Sequence, residues 1–553
     1  MIKKTEKEPT PTRRSGREER GWSGSLRPSV KNVLLPGELA KTAGSPGCQA
    51  ACLLGQCGWR VGVFEKQPAP YPLPRAVHLD HEVARILQGA GLGEELPRLT
   101  EPADTYEWRN AAGETLLVIE SRGTSLSGWP EANMFAQPEL ERTLDVRARA
   151  LPSVGVHRGA EVVDLRADAA EVALVVAGGD GKRREVGARW VVGCDGANSF
   201  VRLHVGASVT DLGFFFDWLI VDLIPNERRV WNPINWQLCD PARPTTLVSG
   251  GPGRRRWEFM RLPGESIEDL NSESVAWRLL EPWGMTPATA SLERHAVYTF
   301  QARWVDQWRK GRLLLAGDAA HQMPPFAGQG MCSGVRDAAN LAWKLDLVLH
   351  DQAPETLLDT YASERVPQVR QVIGFSIELG KVICVPDPGA AAARDAAMIA
   401  AVKHQGPTPP LPTPALGPGL FADGDPLAGH LFLQGEVRRG ERSGRFDDVV
   451  GRGFTLLSPV GDPGSRLPPE LAAYFALLGG VSAHVALGAP VHDLHGSYAQ
   501  WFAEHDVGVV LQRPDFHIFG AVPTLDGAAA LVDQLRSALG TMSRQAGPDD
   551  PCR

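Results

Sequence analysis

No stretch of this 553-residue chain approaches the roughly 20 consecutive apolar residues that a bilayer-spanning helix needs, so none is expected. The first thirty residues, MIKKTEKEPTPTRRSGREERGWSGSLRPSV, hold no apolar run either. They lack the core of a signal peptide and read as a disordered, locally basic tail. A cytoplasmic location follows as the expectation. Beyond that tail there is no basic excess: the net charge is -8, which gives no surface for nucleic acid or an anionic membrane. The eight cysteines, at 48, 52, 57, 194, 239, 332, 384 and 552, form no CxxC pair and have no histidine at zinc-finger spacing. Neither a metal site nor a disulfide framework is expected.

The length is too great for one core and points to three domains at about 100 to 200 residues each. From about Asn32 strands and helices alternate, with an apolar helix CQAACLLGQCG and a strand RVGVFEK that ends on Glu65. An apolar strand Trp190 to Cys194 stops at Asp195-Gly196, followed by Ser199 and Arg202. Between Phe214 and Leu262 the pattern becomes β-rich (FFFDWLIVDLI, TTLVSGG, RRRWEFMRL), with GGPG as a turn. Trp257 and Phe259 are expected as sheet core. Val335, Ala338, Ala342, Leu345 and Leu349 recur at helical spacing, so Gly330 to His350 reads as a long amphipathic helix. The stretch KHQGPTPPLPTPALGPG is a stiff linker. The expected division is a tail at 1–30, a nucleotide-binding domain in two parts at 31–205 and 301–404, a β-rich segment at 206–300, a linker at 405–419 and a last domain at 420–553.

Three constellations carry chemistry. The first is TAGSPG, Thr42 to Gly47, ahead of the apolar helix. A dinucleotide turn uses glycine where the loop is tight, where backbone meets pyrophosphate and where helix packs on strand, with an acid about 20 residues on for a ribose. Gly44, Gly47 and Glu65 fit these places, while Thr42 stands where the first glycine belongs. Two registers are open: the turn follows directly on GELAK, or NVLLPG, Asn32 to Gly37, supplies the strand and its first glycine and the residues up to Gly44 loop out. The second constellation is Asp195-Gly196, which alone is as well read as a simple turn. The third is GRLLLAGDAAHQMPPFAGQG, Gly311 to Gly330. Here an apolar strand runs into Gly317-Asp318, an acid able to accept from sugar-like hydroxyls, then into small residues, prolines and glycines that leave the backbone bare for a planar ring. The helix after Gly330 would turn its partly positive end toward that ring.

GxxG with an acid, then DG, then GD, each at the end of an apolar strand, resembles the FAD-dependent aromatic hydroxylases, the family of para-hydroxybenzoate and phenol hydroxylases. GDAAHQMPPFAGQGMCSGVRDAANLAWKL is most similar to meta-hydroxyphenylpropionate hydroxylase and polyketide hydroxylases. The resemblance covers about residues 45 to 400. It implies an α/β fold: a Rossmann-like FAD-binding domain, an inserted β-rich substrate domain and a C-terminal thioredoxin-like domain without a CxxC. It further implies that Glu65 binds the adenosine ribose, Arg75 lies over the phosphates or the flavin edge, and Gln137 contacts the flavin side. Asp195 and Gly196 would serve the pyrophosphate side, and Asp318 the ribitol. Pro324, Pro325 and Gly328 to Gly330 would frame the isoalloxazine. His78 and His81 would border the substrate cavity and are more readily read as structural than as acting on substrate, while His321 is equally readable either way; the catalytic candidates are His78, His321 and Pro324.

The activity implied is a monooxygenase in which NADPH or NADH, a transient reductant, reduces FAD, dioxygen adds at the flavin C4a, and the resulting hydroperoxide hydroxylates a phenolic or polyketide-like ring. The substrate's base is not identified. The partners expected are a small aromatic substrate and dioxygen, with a homodimer as the candidate assembly. The rival readings are a flavoprotein fold kept as a binding or regulatory module, or a Baeyer–Villiger-type oxygenation. The registers differ in a measurable way. If Thr42 occupies the tight point, its β-branched side chain costs about 1 to 3 kcal/mol, and Thr42→Gly tightens FAD binding roughly tenfold to hundredfold. If NVLLPG is the strand, Thr42→Gly changes nothing and Gly37→Val is damaging, in either case as read by titrating the apoprotein with FAD.

Overall fold

Apolar strands that stop at an acid or a glycine stack side by side at the centre of the protein. The structure is a computed structural model and describes residues 32–37, 45–405, 408 and 414–545. The basic tail 1–30, Thr42 and Gly44, residues 406–407 and 409–413 of the linker and Cys552 lie outside these residues. Leu313–Leu315, Trp190–Gly193, Asn32–Gly37, Arg60–Glu65 and Val154–Arg158 lie next to one another in that order, all parallel. The short Arg309–Lys310 closes one edge antiparallel. The first strand is therefore NVLLPG, with Gly37 opposite Glu65, and Gly37→Val is the substitution expected to weaken FAD binding. Because the strands are parallel, Glu65, Asp195 and Asp318 all follow the carboxyl ends of neighbouring strands, the edge at which open α/β sheets bind ligands.

Helix Ser45–Gln56 covers this sheet and crosses the start of helix Gly330–Leu349, where Gln49 Nε2 donates to the Val335 carbonyl at 3.3 Å. A side chain on Gly47 would stand 3.4 Å from the Cys194 Cβ, so the helix rests directly on the strand end. A separate three-stranded sheet, Ala160–Ala167, Val172–Gly178 and Arg183–Ala188, precedes Trp190.

The β-rich region is an eight-stranded sheet in which Val209–Pro225 pairs with both Ala290–Val305 and Arg255–Met260. It draws on more of the chain than 206–300: Thr105–Arg109 and Thr115–Glu120 join at one edge and His321–Gln322 at the other. Period-two alternation separates its faces. Leu219, Val221, Trp257 and Phe259 pack with Leu270, Ala276 and Leu280 as a core, as expected for the two aromatics. Trp218, Ile220 and Met260 face the other way, into a cluster with Trp108 and Phe326.

The C-terminal sheet runs Arg442–Arg445, Glu436–Arg439, Val491–Asp493, Val481–Ala486, Thr455–Ser458, Val509–Gln512, Ile518–Val522, the last two forming the hairpin expected around Pro514-Asp515. Buried charges fasten it to the rest. Arg85, in helix His81–Leu87, donates to both oxygens of Asp447 at 2.7 and 2.9 Å and to the Phe432 carbonyl. Glu364 receives Arg513 and Lys344 at 2.8 and 2.7 Å, and Asn340 donates to Asp515 at 2.9 Å. All of these are buried. Arg85→Ala leaves the Asp447 carboxylate buried without its cation, a loss of about 3 to 5 kcal/mol. Urea or thermal unfolding of the FAD-loaded protein should register it as a drop in midpoint.

Candidate active site

Two bare loops and one helix end meet above the parallel sheet. Gly317 opens the turn Gly317–Ala319 in left-handed backbone (φ 63°), and its N–H donates to Asp337 Oδ2 at 3.0 Å. A side chain at Gly334 would stand 2.8 Å from the Pro46 Cγ and 3.2 Å from the Gly317 Cα. Helix Gly330–Leu349, the start of Ser45–Gln56 and the Gly-Asp turn thus converge where only glycine fits. Asp318 lies half-buried on that turn, and Glu65 is buried at the end of its strand, accepting the Gln67 N–H at 2.7 Å. Asp195 uses both carboxylate oxygens locally: it accepts from the Ser199 hydroxyl and, at 2.9 Å, from the Val201 N–H, shaping the turn where Gly196 has φ 76°. Burial raises its pKa, which the Ser199 and Val201 bonds oppose. Arg202 bridges to the Gly-Asp turn through the Ala319 carbonyl at 3.0 Å.

Pro324 is buried and Pro325 half-buried at the turn Pro325–Ala327, after which Gly328 takes φ 65° and Gln329 caps the long helix. His78 lies beneath this loop, its Nδ1 3.5 Å from the Gly328 carbonyl. Burial lowers its pKa, with Asp80 and that carbonyl opposing. The segment before it is pinned from two sides. The Ala76 N–H donates to Gln137 Oε1 at 2.7 Å, and Arg256 donates to the Arg75 carbonyl. The Arg75 guanidinium lies 4.2 Å from the Tyr71 ring centroid. Arg75, His78, Gln137, Pro325 and Gly328 are thereby brought to one region. His81 lies apart, 3.6 Å from Glu131 at the start of its helix. His321 is buried with Nε2 2.7 Å from Asp337 Oδ2.

Sequence reasoning missed the residues that hold these loops. Asp337 binds the Gly317 N–H, His321 and, at 2.9 Å, Arg365. Arg336 donates to Glu82, to Gln329 Oε1 at 2.9 Å and to Asp80 at 2.6 Å, and Gln329 itself donates to Asp80 at 3.0 Å. The available signal was the charged pair Arg-Asp in the part of the helix that carries Val335, Ala338 and Leu341, since charges are not buried there without partners.

The site suits a dinucleotide-linked flavin: acids at two strand ends for sugar hydroxyls, glycine-walled loops for a flat ring, and a long helix whose N-terminus favours negative charge. No group of three or more His, Cys, Asp or Glu among the described residues could hold a metal. Gly328→Ala would place a Cβ 2.9 Å from His78 Nδ1 in left-handed backbone, a strain of about 1 to 2 kcal/mol. It should lower flavin retention on gel filtration several-fold, and adding His78→Ala should restore part of the loss by removing the clash.

Comparison with known proteins agrees with this geometry. Residues 42–376, more than half of the chain, match the family model described as an FAD binding domain, and residues 429–538 match the HcaD C-terminal domain. The chain is 39% identical over 513 residues to a probable NADH-specific resorcinol 4-hydroxylase of Rhodococcus jostii (strain RHA1), covering 92% of this chain and 96% of that one. It is 31% identical over 531 residues to a 3-(3-hydroxy-phenyl)propionate/3-hydroxycinnamic acid hydroxylase of Klebsiella pneumoniae (strain 342), covering 91% and 95%. Among solved structures, the flavin-dependent monooxygenase PieE in complex with FAD and substrate superposes with a TM-score of 0.78 at 22% identity, over 93% of this chain and 100% of that one. Aklavinone-11 hydroxylase with FAD and aklavinone superposes with a TM-score of 0.72 at 23% identity, over the same shares. With the family model on the nucleotide site and relatives matched along nearly their whole length, the chain belongs to the FAD-dependent aromatic hydroxylases, and it is a flavoprotein monooxygenase.

Proposed function

We propose that this enzyme hydroxylates a single-ring phenol carrying a second substituent meta to its hydroxyl, with NADH as reductant and dioxygen as co-substrate. The observation that carries the reading is the wall facing the Pro-Phe-Ala-Gly loop. Phe326 of that loop meets Trp218 at 5.8 Å between ring centroids and Phe214 at 6.4 Å, and Phe216, Tyr298, Phe300 and Met260 continue the same cluster. Such a wall takes one flat ring by edge and face contacts. The hydroxylases of Rhodococcus and Klebsiella are both named for phenols substituted in that position.

FAD, when bound, supplies the reduction by nicotinamide and the activation of dioxygen. Around it we assign Glu65 to the adenosine ribose, Asp318 to the ribitol, Gly44, Gly47, Asp195 and Gly196 to the phosphate side, and Arg75, Gln137, Pro324, Pro325, Gly328 and Gly330 to the ring. The end of helix Gly330–Leu349 favours negative charge at the ring, and the aromatic wall keeps water from the reacting face. His321 holds the Gly-Asp turn through Asp337. The C-terminal segment is read as a thioredoxin-like domain. Its support is the strand order Val481–Ala486, Thr455–Ser458, Val509–Gln512, Ile518–Val522, in which Val509–Gln512 runs against both its neighbours.

A second reading, a phenol with a carboxylate side chain, is favoured by Arg294. Its Nη1 and Nη2 are buried without a hydrogen-bond partner among the described residues, with Asp222 at 4.0 Å. Purified protein should be yellow, and resorcinol should accelerate its NADH oxidation at least about tenfold with matching oxygen uptake and a hydroxylated product. A larger kcat/KM for 3-(3-hydroxyphenyl)propionate selects the second reading. Stimulation by polycyclic phenols alone would refute the single-ring assignment.

A further inference from the structure

The aromatic wall carries Glu258, whose neighbour on the same face, Asp222, is bound by Arg256 at 2.6 and 3.0 Å. Glu258 lies on strand Arg255–Met260, opposite Ile220 on one side and Thr246 on the other. Alternation puts Trp257 and Phe259 into the core behind the sheet, and Glu258 and Met260 on the face that carries Trp218, Ile220 and, across from them, Phe326. Its side chain is 13% exposed, so its neighbours do not enclose it completely. Neighbouring polar groups are engaged elsewhere. Thr246 Oγ1 donates to Gln237 Oε1 at 2.6 Å, the Tyr106 hydroxyl reaches the same oxygen at 3.4 Å, and Arg256 gives its short contacts to Asp222 and, through Nη1, to the Arg75 carbonyl, with Nη1 3.7 Å from Glu258.

We propose that Glu258 is the base that takes the proton of the substrate's phenolic hydroxyl. This rests on the phenol-hydroxylation reading. The phenol O–H bond breaks, its electron pair stays on oxygen and enriches the ring, and the proton forms an O–H bond on the Glu258 carboxylate. When the hydroxylated ring regains aromaticity by losing the hydrogen of the attacked carbon to solvent, Glu258 returns its proton to the same oxygen. An ordinary carboxylate is a weak base for a phenol. Burial raises the Glu258 pKa, with Arg256 opposing, Asp222 adding and Arg294 opposing, which brings it nearer the proton it must accept. These three act on it together with Tyr106 from a nearby strand, and Tyr298 stands on the same wall.

The test is Glu258→Gln in the FAD-loaded full chain, with resorcinol and a series of fluorinated phenols of falling pKa as probes. Product formation at pH 7 should fall about a hundredfold or more. It should recover at least about tenfold at high pH or with the most acidic phenols, because solvent then supplies the phenolate. Product formation within about threefold of wild type, or an equal loss at every pH and with every phenol, would overturn the assignment. Should the variant not retain FAD, the acid limb of the wild-type kcat/KM profile decides. A limb that keeps its position across the phenol series supports Glu258, and one that moves with each phenol's own pKa overturns it. If the wild-type enzyme hydroxylates none of these phenols, the functional reading falls and this assignment with it.

Discussion

Two adjacent buried charges on one helix organise the catalytic end of the protein. Arg336 and Asp337 point in different directions from helix Gly330–Leu349, and each gathers a separate set of loops. Asp337 holds the Gly-Asp turn by its backbone, with His321 and Arg365 completing its shell. Arg336 holds Asp80, Glu82 and the cap residue Gln329. Charges this deep are tolerated only when saturated with partners, so the loops that contribute them are held to the helix as a condition of folding. Burial alone would raise the Asp337 carboxyl, yet His321 and Arg365 hold it below the usual range.

The same device extends to the C-terminal segment. Glu364 sits between Lys344 and Arg513, and Arg85 reaches Asp447 and Phe432 from the helix that follows Asp80. His517 lies 3.8 Å from Glu82, whose other oxygen receives Arg336. A continuous set of buried charged groups therefore runs from the C-terminal hairpin to Gln329, the residue that caps helix Gly330–Leu349. A segment at the far end of the chain, without a cysteine pair for redox chemistry, acts here through packing and charge on the framework of the site.

The eight-stranded sheet divides its labour by side-chain parity. On strand Arg255–Met260, Trp257 and Phe259 fill a core, while Arg256, Glu258 and Met260 look toward the loop that carries Phe326. Arg256 also steadies the Arg75 carbonyl, so one strand braces the segment before His78 and faces the loop of Phe326.

Local pattern was enough to find the elements that any nucleotide-binding α/β chain must show. The strands ending at Glu65 and shortly before Asp195 and Asp318, the helix Gly330–Leu349 and the bare glycine loop all announce themselves through apolar periodicity broken by residues that strands do not keep. Those signals are short in range, because strand, turn and cap preferences act over a few residues. Which register the first strand takes was open in the sequence and was decided by pairing: NVLLPG lies between Trp190–Gly193 and Arg60–Glu65, strands remote in the chain. The partners of Asp337 and Arg336, the two early strands that extend the substrate sheet, and the place of Glu258 opposite Phe326 were likewise set by tertiary structure. Each depends on contacts between residues tens to hundreds of positions apart, and the residue types involved, an arginine, an aspartate or a glutamate, carry no local mark of whether burial will pair them or leave them facing a substrate.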